Sequence, residues 1–286
     1  MVNPGSPSRH DPRAICNAYF VLAKKWLTFA LLCKLLIFVV GTITVFVPSL
    51  GGYIPPLLIT LFAIIAELFS WRSDVYKGSA EALLRKLDAR DSLGWAISGA
   101  EMSDLGIRSP KKLSKLVSAA ALNQEYFASQ EGVGAKRTLE NIQESAWWSK
   151  HLSERMGQYY LLLTVGLIIG LVLVLAASVE TVRNYTLLVG IGRVVTASLM
   201  LVFSLGLFRS VLGYYSFAGK AARIEERIEH LLGNVSITEI DAIKVMHEYQ
   251  LARSSAPLIP SWLWEQMKDD LNEMWHQYRQ PHANQP

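Results

Sequence analysis

Four long apolar blocks, separated by polar stretches of very unequal length, organise the chain. They cover about 27–47, 54–71, 160–179 and 185–208. Each holds 18 residues or more, close to the ~20 that cross a ~30 Å hydrocarbon core as a helix. A helix satisfies its own backbone hydrogen bonds and so is stable in lipid. The first block exceeds the roughly 7–15 apolar residues of a cleaved signal peptide and no small-residue cleavage site follows it. It therefore reads as a retained span.

The connections alternate in kind. The turn at 48–53 (PSLGGY) has no Lys or Arg, and that at 180–184 (ETVRN) has Arg183 alone. Arg9, Arg13, Lys24 and Lys25 precede the first block, thirteen Lys/Arg fall in 72–159, and eight follow from Arg209 onward. The positive-inside rule places all three basic regions in the cytoplasm and both short turns outside. Trp26, Tyr53, Trp71, Tyr159, Tyr160 and Tyr185 stand at block ends, as interfacial aromatics do.

The polar stretches are patterned as helices. Ala80, Leu83, Leu84 and Leu87 recur at helical spacing over 75–93, which extends the second span; Leu139, Ile142, Ala146, Leu152 and Met156 do the same over 138–156, running into the third. Gly132-Val133-Gly134 predicts a break before that helix. Ser109-Pro110 predicts a helix start with proline in the first turn. The tail predicts three helices. The first covers 209–232, continues the fourth span and ends at Gly233-Asn234. The second starts at a capping box from Ser236 to Glu239. The third has Ser261 as N-cap and an apolar face of Trp262, Leu263, Met267, Leu271, Met274 and Trp275.

The expected fold is an all-α membrane protein, with four transmembrane helices in two hairpins and a helical cytoplasmic domain. Its parts are an N-terminal cytoplasmic segment (1–25), a first hairpin (26–71), a cytoplasmic helical domain (72–159), a second hairpin (160–208) and a cytoplasmic tail (209–286) packing with 72–159. Both termini are expected in the cytoplasm.

Composition fits this picture. Of 286 residues, 51% are hydrophobic and 18% charged, against about 25% charged in soluble domains. The formal charge of +4 is too small and dispersed for nucleic-acid binding. Cys16 and Cys33 imply no disulfide framework and read as small apolar filler. The six histidines lack metal-ligand spacing, and there is no phosphate-cradling glycine loop or nucleophile elbow. Glu225, Glu226 and Glu229 share a helix with Arg223 and Arg227 and read as a solvated, salt-bridged face. No catalytic residue, metal or cofactor is expected, and an enzyme is disfavoured.

Three ionisable residues lie within the blocks: Lys34, Glu67 and Arg193. Such groups cost a few kcal/mol in the bilayer centre and normally face protein or water. Lys34 is eight residues past Trp26 and Glu67 five before Arg72, so their depths roughly match. A Lys34–Glu67 contact is expected, against the alternative that both reach the headgroups. Arg193 follows Gly190 and Gly192. It reads either as a pore-lining or oligomer-contact residue, or as an arginine reaching the outer headgroups.

The polar segments carry further signals: Lys77-Gly78-Ser79-Ala80-Glu81, Asp91-Ser92-Leu93-Gly94-Trp95, Glu101-Met102-Ser103-Asp104 and Tyr126-Phe127-Ala128-Ser129. The stretch 141–151 (NIQESAWWSKH), Pro257 to Trp262 and 271–275 (LNEMW) complete the set. With two separated hairpins, these residues resemble the SMODS-associated four-transmembrane effector family of CBASS, the bacterial cyclic-oligonucleotide antiphage system. The resemblance covers nearly the whole chain after about residue 14. It implies an inner-membrane effector functionally linked to a nucleotidyltransferase (CD-NTase) that makes a cyclic nucleotide on infection. The cytoplasmic domain would bind this cyclic di- or trinucleotide. The spans would then rearrange, within a homo-oligomer, and disrupt the membrane, so that infected cells die by abortive infection.

Such a ligand offers phosphates for Arg/Lys and flat bases for aromatic stacking. Arg137, Asn141, Glu144 and Trp148 fall about one turn apart on one helical face, with Lys150 close by. Asn141 or Glu144 suits a base edge, and Arg85 is a further candidate cation. The alternative for Trp147, Trp148, Lys150 and His151 is an interfacial anchor. Two other function classes remain at this point. One is a small transporter or ion channel, which the absence of broken helices disfavours. The other is a scaffold recruiting a soluble partner through the helix bearing Trp262 and Trp275.

Overall fold

The computed structural model describes residues 11–47, 53–108, 127–233 and 236–283. Among them are eight helices and no strand. These are α1 (Pro12–Phe46), α2 (Ile54–Leu93), α3 (Gly99–Arg108), α4 (Ala135–Thr181), α5 (Tyr185–Ser204), α6 (Leu207–Leu232), α7 (Glu239–Ser255) and α8 (Ser261–Ala283). Four helical stretches are long and apolar enough to cross a membrane: in α1, in α2, in α4, and across α5 and α6. The protein is thus an all-α membrane protein. The 48–52 turn, the Ser109-Pro110 start and the first ten residues lie outside the described residues.

The chain divides into two compact units. One gathers Ala23–Val75 with Gly157–Leu212 and holds the four apolar stretches. Its large side chains point outward: Leu61, Leu162, Val172, Leu173 and Phe203 are all exposed. In water that surface would be untenable, and in lipid it costs nothing. Within this unit small residues sit where helices approach, with Ala30, Cys33 and Ala66 buried. Trp26 packs on Phe69 with ring centroids 5.1 Å apart and lies under the Arg72 guanidinium at 5.6 Å. Ser73 Oγ donates to Ala23 O at 2.8 Å.

The other unit gathers Met1–Leu22, Tyr76–Met156 and Gly213–Pro286. Its main core joins α2, α4, α6 and α7 through Ala89, Leu139, Ile142, Phe217, Ile224, Ile228, Val245 and Tyr249. These positions recur every three or four residues, which is why each helix buries one stripe. A second cluster sets Ala14, Ile15, Ala18 and Tyr19 of α1 against Ala80, Leu83 and Leu87 of α2. Cys16 lies in this cluster, its Sγ 3.4 Å from Ala80 O, and burial pushes its thiol up to about 12. α1 therefore begins well before its apolar block. Pro12 takes the first helical position and Asp11 Oδ1 accepts from Arg13 N at 2.9 Å.

Several predicted ends are met in detail. Gly94 closes α2 with φ +74°, its N–H on Arg90 O at 3.0 Å. α4 starts directly after Gly134 and runs unbroken to Thr181. Two expectations are corrected. The cap of α7 is Thr238, whose side chain accepts from Asp241 N, two residues beyond the predicted Ser236–Glu239 box. The fourth span does not continue into the tail as one helix. α5 stops at Ser204, Gly206 adopts φ +66° and donates to Phe203 O at 2.9 Å, and α6 starts anew at Leu207. A left-handed glycine ends a helix more strongly than an apolar pattern can sustain it.

α8 buries Leu263, Leu271 and Trp275 within its own unit. Trp262 stays exposed. The tail is fastened again at Pro257-Leu258, where Tyr214 Oη donates to Leu258 O at 2.7 Å. A Cβ on neighbouring Gly213 would lie 2.8 Å from Pro257 Cγ, a ring atom with no freedom to swing away. Gly213→Ala should therefore lose about 1–2 kcal/mol, because overpacking outweighs the ~1 kcal/mol gained in helix propensity. A lowered melting midpoint of the detergent-solubilised protein checks this; a raised one contradicts it.

Candidate functional site

The predicted ligand row lies on α4, where its side chains do share one side, but their polar heads are engaged within the protein. Asn141 is fully buried and its Nδ2 donates to Ser92 Oγ at 3.1 Å. Glu144 Oε2 accepts from Ala128 N at 2.9 Å, and Arg137 Nη1 donates to Glu131 O at 2.9 Å. Lys150 Nζ donates to Glu225 Oε2 at 2.6 Å. Trp148 meets Trp147 edge-on at 6.1 Å, and Trp147 is itself buried on Trp275, 5.3 Å away. Arg85 is half-buried on α2. The row joins α4 to its surroundings, and a ligand there would have to displace those bonds. Asn141 Oδ1 and Arg137 Nε are buried without a hydrogen-bond partner among the described residues.

The acidic cluster of α6 keeps most of the solvated, salt-bridged face expected of it: Arg223, Glu226, Arg227 and Glu229 are exposed, and only Glu225 is buried. Glu225 is buried against Lys150, and Glu229 accepts from Tyr278 Oη. Arg227 Nη1 donates to Glu248 Oε2 of α7 at 2.9 Å. These partners come from other helices, not from the i+4 neighbours that sequence spacing suggests.

One open groove in this unit carries two cations that make no ion pair among the described residues. It has a volume of about 290 Å³ and is lined by Lys220, Arg223 and Ile224 of α6 with Glu248, Leu251 and Ala252 of α7. Ile224 and Ala252 form a buried apolar floor, and Leu251 is half exposed. Lys220 and Arg223 are both exposed, three residues apart on the same side of α6. The charge of Glu248 is matched by Arg227. Sequence reading missed this groove because its two walls are more than twenty residues apart and meet only through helix packing.

A buried ionic clasp lies on the same helix, α7. Arg253 Nε donates to Glu81 Oε2 and Nη2 to Asp88 Oδ2, each at 3.0 Å. Both carboxylates belong to α2 and are nearly inaccessible. Burial raises the Asp88 carboxyl, and the Arg253 guanidinium and Gln250 amide pull it back. Lys77 Nζ closes the C-terminal end of α7 by donating to Ser254 O at 2.9 Å and Ala256 O at 2.5 Å.

In the apolar unit, the expected Lys34–Glu67 contact is present at 3.9 Å, but Lys34 has a nearer partner. Its Nζ donates to Ser204 O at 3.1 Å, a carbonyl at the end of α5. There a cation also complements the helix dipole. Sequence could not show this, because the carbonyl is available only through the break at Gly206. Arg193 is exposed partway along α5. The break does not make a mid-membrane discontinuity of the transporter kind. Twenty residues precede it in α5, about 30 Å of helix, so it falls at the far end of the span.

No family model, curated protein or solved structure matches the chain.

Proposed function

We propose that this protein is a ligand-gated membrane effector: its helical polar unit binds a cyclic oligonucleotide, and its spans respond by breaching the bilayer. The observation that carries the reading is the continuity of α2 and α4. Each contributes one uninterrupted helix to both units. A ligand-induced shift of either helix in the polar unit acts on a span with no intervening loop to absorb it. The ligand drives this only as far as it prefers one arrangement over the other.

The positive-inside distribution supports cytoplasmic termini and a cytoplasmic polar unit, and the resemblance to the CBASS four-transmembrane effectors supports the inner membrane of a bacterium. The same resemblance supplies the messenger class, the linked CD-NTase and abortive infection as the outcome. A homo-oligomer would supply the several spans that a lesion needs. The chain acts by binding and moving, not by catalysis.

The test is purified protein in dye-loaded liposomes, challenged with a panel of cyclic di- and trinucleotides. One member should bind and release dye. Binding by none of them removes the messenger reading. Release without any nucleotide favours a constitutive channel instead.

A further inference from the structure

We infer that the groove between α6 and α7 is where the anionic ligand is read, with Lys220 and Arg223 on a phosphate and the Ile224, Leu251 and Ala252 surface under a base. The inference rests on the nucleotide-sensing reading above and gives it an address. Three observations converge on this place. First, among the described residues the two cations have no ion-pair partner, whereas Arg137, Lys150, Arg227 and Arg253 are committed to protein oxygens. An arginine and a lysine three residues apart match two oxygens of one phosphate or of neighbouring phosphates.

Second, the floor of the groove is apolar. A phosphate alone has no use for Ile224, Leu251 and Ala252, but a nucleobase has a flat face to lay on them. Third, the groove is open and holds about 290 Å³. That is just below the ~300–1,000 Å³ of small-molecule sites, enough for one nucleotide of a larger ring, the remainder extending outward. Glu248 borders the site but is neutralised by Arg227. Glu226 lies one turn beyond Arg223 on the same side of α6, is exposed, and is not among the residues lining the groove.

The location also supplies a route to the spans. The groove uses one side of α7, and the next side of the same helix carries Arg253, which holds Glu81 and Asp88 of α2. A ligand that draws α6 and α7 together acts on that clasp, and α2 contains the second apolar stretch.

The experiment is calorimetric titration of the full, detergent-solubilised chain with cyclic di-AMP, cyclic di-GMP, cyclic GMP-AMP and cyclic triadenylate. Inorganic phosphate serves as the control for charge alone. The double variant Lys220→Glu/Arg223→Glu should bind the recognised nucleotide about a hundredfold more weakly or worse, since two charge-assisted hydrogen bonds are replaced by repulsion. The exchange Lys220→Arg/Arg223→Lys should stay within about fivefold of the original. Both positions are on the surface, and an unchanged melting profile establishes that the variants are folded. Nucleotide binding that survives the double reversal overturns the groove while leaving the effector reading intact. Binding of none of the four by the original chain overturns both.

Discussion

Arg253→Ala should cost about 3–5 kcal/mol, enough to unfold much of the polar unit. The reason is the asymmetry of buried ion pairs. Forming the pair recovers little more than the desolvation of its members, but removing one partner leaves the other charged and dry. Here two carboxylates depend on one guanidinium: Glu81 and Asp88 are almost wholly buried, and Arg253 reaches both at 3.0 Å. The loss should depend on pH in a defined sense. Asp88 is already raised in the folded protein by burial, and deleting Arg253 removes the main influence holding it down. A carboxyl raised on folding contributes stability that is present below its unfolded value near 3.8 and lost as pH rises through the folded one. The deficit of the variant should therefore be smallest in acid and grow toward neutrality. The triple replacement Arg253→Met/Glu81→Gln/Asp88→Leu should recover much of the stability, because it removes the stranded charge. Melting curves from pH 4 to 8 check both statements, and a deficit that shrinks toward neutral pH contradicts the assignment.

The clasp also shows where sequence reading stops. Arg253 and Asp88 are 165 residues apart, and nothing in their local pattern marks either as buried. Apolar periodicity foretells which residues form α2 and α4, because a span and an amphipathic stripe are properties of neighbours in the chain. It foretells Leu139, Ile142 and Ala146 as a buried face for the same reason. It says nothing about which polar residue on the other face will meet a carboxylate from another helix. Asn141 illustrates the converse: its spacing suits a ligand row, yet it is buried and bonded to Ser92. Lys34 falls between these cases. Matching depths within a tight hairpin predict its approach to Glu67, but the better acceptor, Ser204 O, is a backbone atom made available by one left-handed glycine. The apolar pattern runs straight through that glycine, so neither the break nor the side chain that arrives there is legible in the sequence.

Tyr249→Ala should be about as damaging as loss of Arg253, at about 3–5 kcal/mol, through a different cause. Tyr249 is the largest fully buried side chain among the described residues of the unit and stands among residues of α2, α4, α6 and α7. Truncating a buried aromatic forfeits its transfer energy and leaves a cavity that helices pinned on several sides close only in part. Its hydroxyl adds a polar component, donating to Ser145 O at 3.0 Å and meeting Ser149 Oγ at 2.8 Å. Tyr249→Phe isolates that component and should cost only about 1–2 kcal/mol, since the ring is kept and only the hydroxyl's bonds to Ser145 O and Ser149 Oγ are lost. The Arg253 guanidinium lies 5.4 Å from the same ring, so the effects of Tyr249→Ala and Arg253→Ala should not add. Two residues in contact, destabilising the same helix, share part of their loss. The pair of variants bears on function as well. α7 forms one wall of the groove, so Tyr249→Ala should lose nucleotide binding together with the fold, while Tyr249→Phe should bind as the original does. If Tyr249→Phe abolished binding without lowering the melting midpoint, the tyrosine hydroxyl would be touching the ligand, and the ligand would lie inside the helix packing near the α4 row.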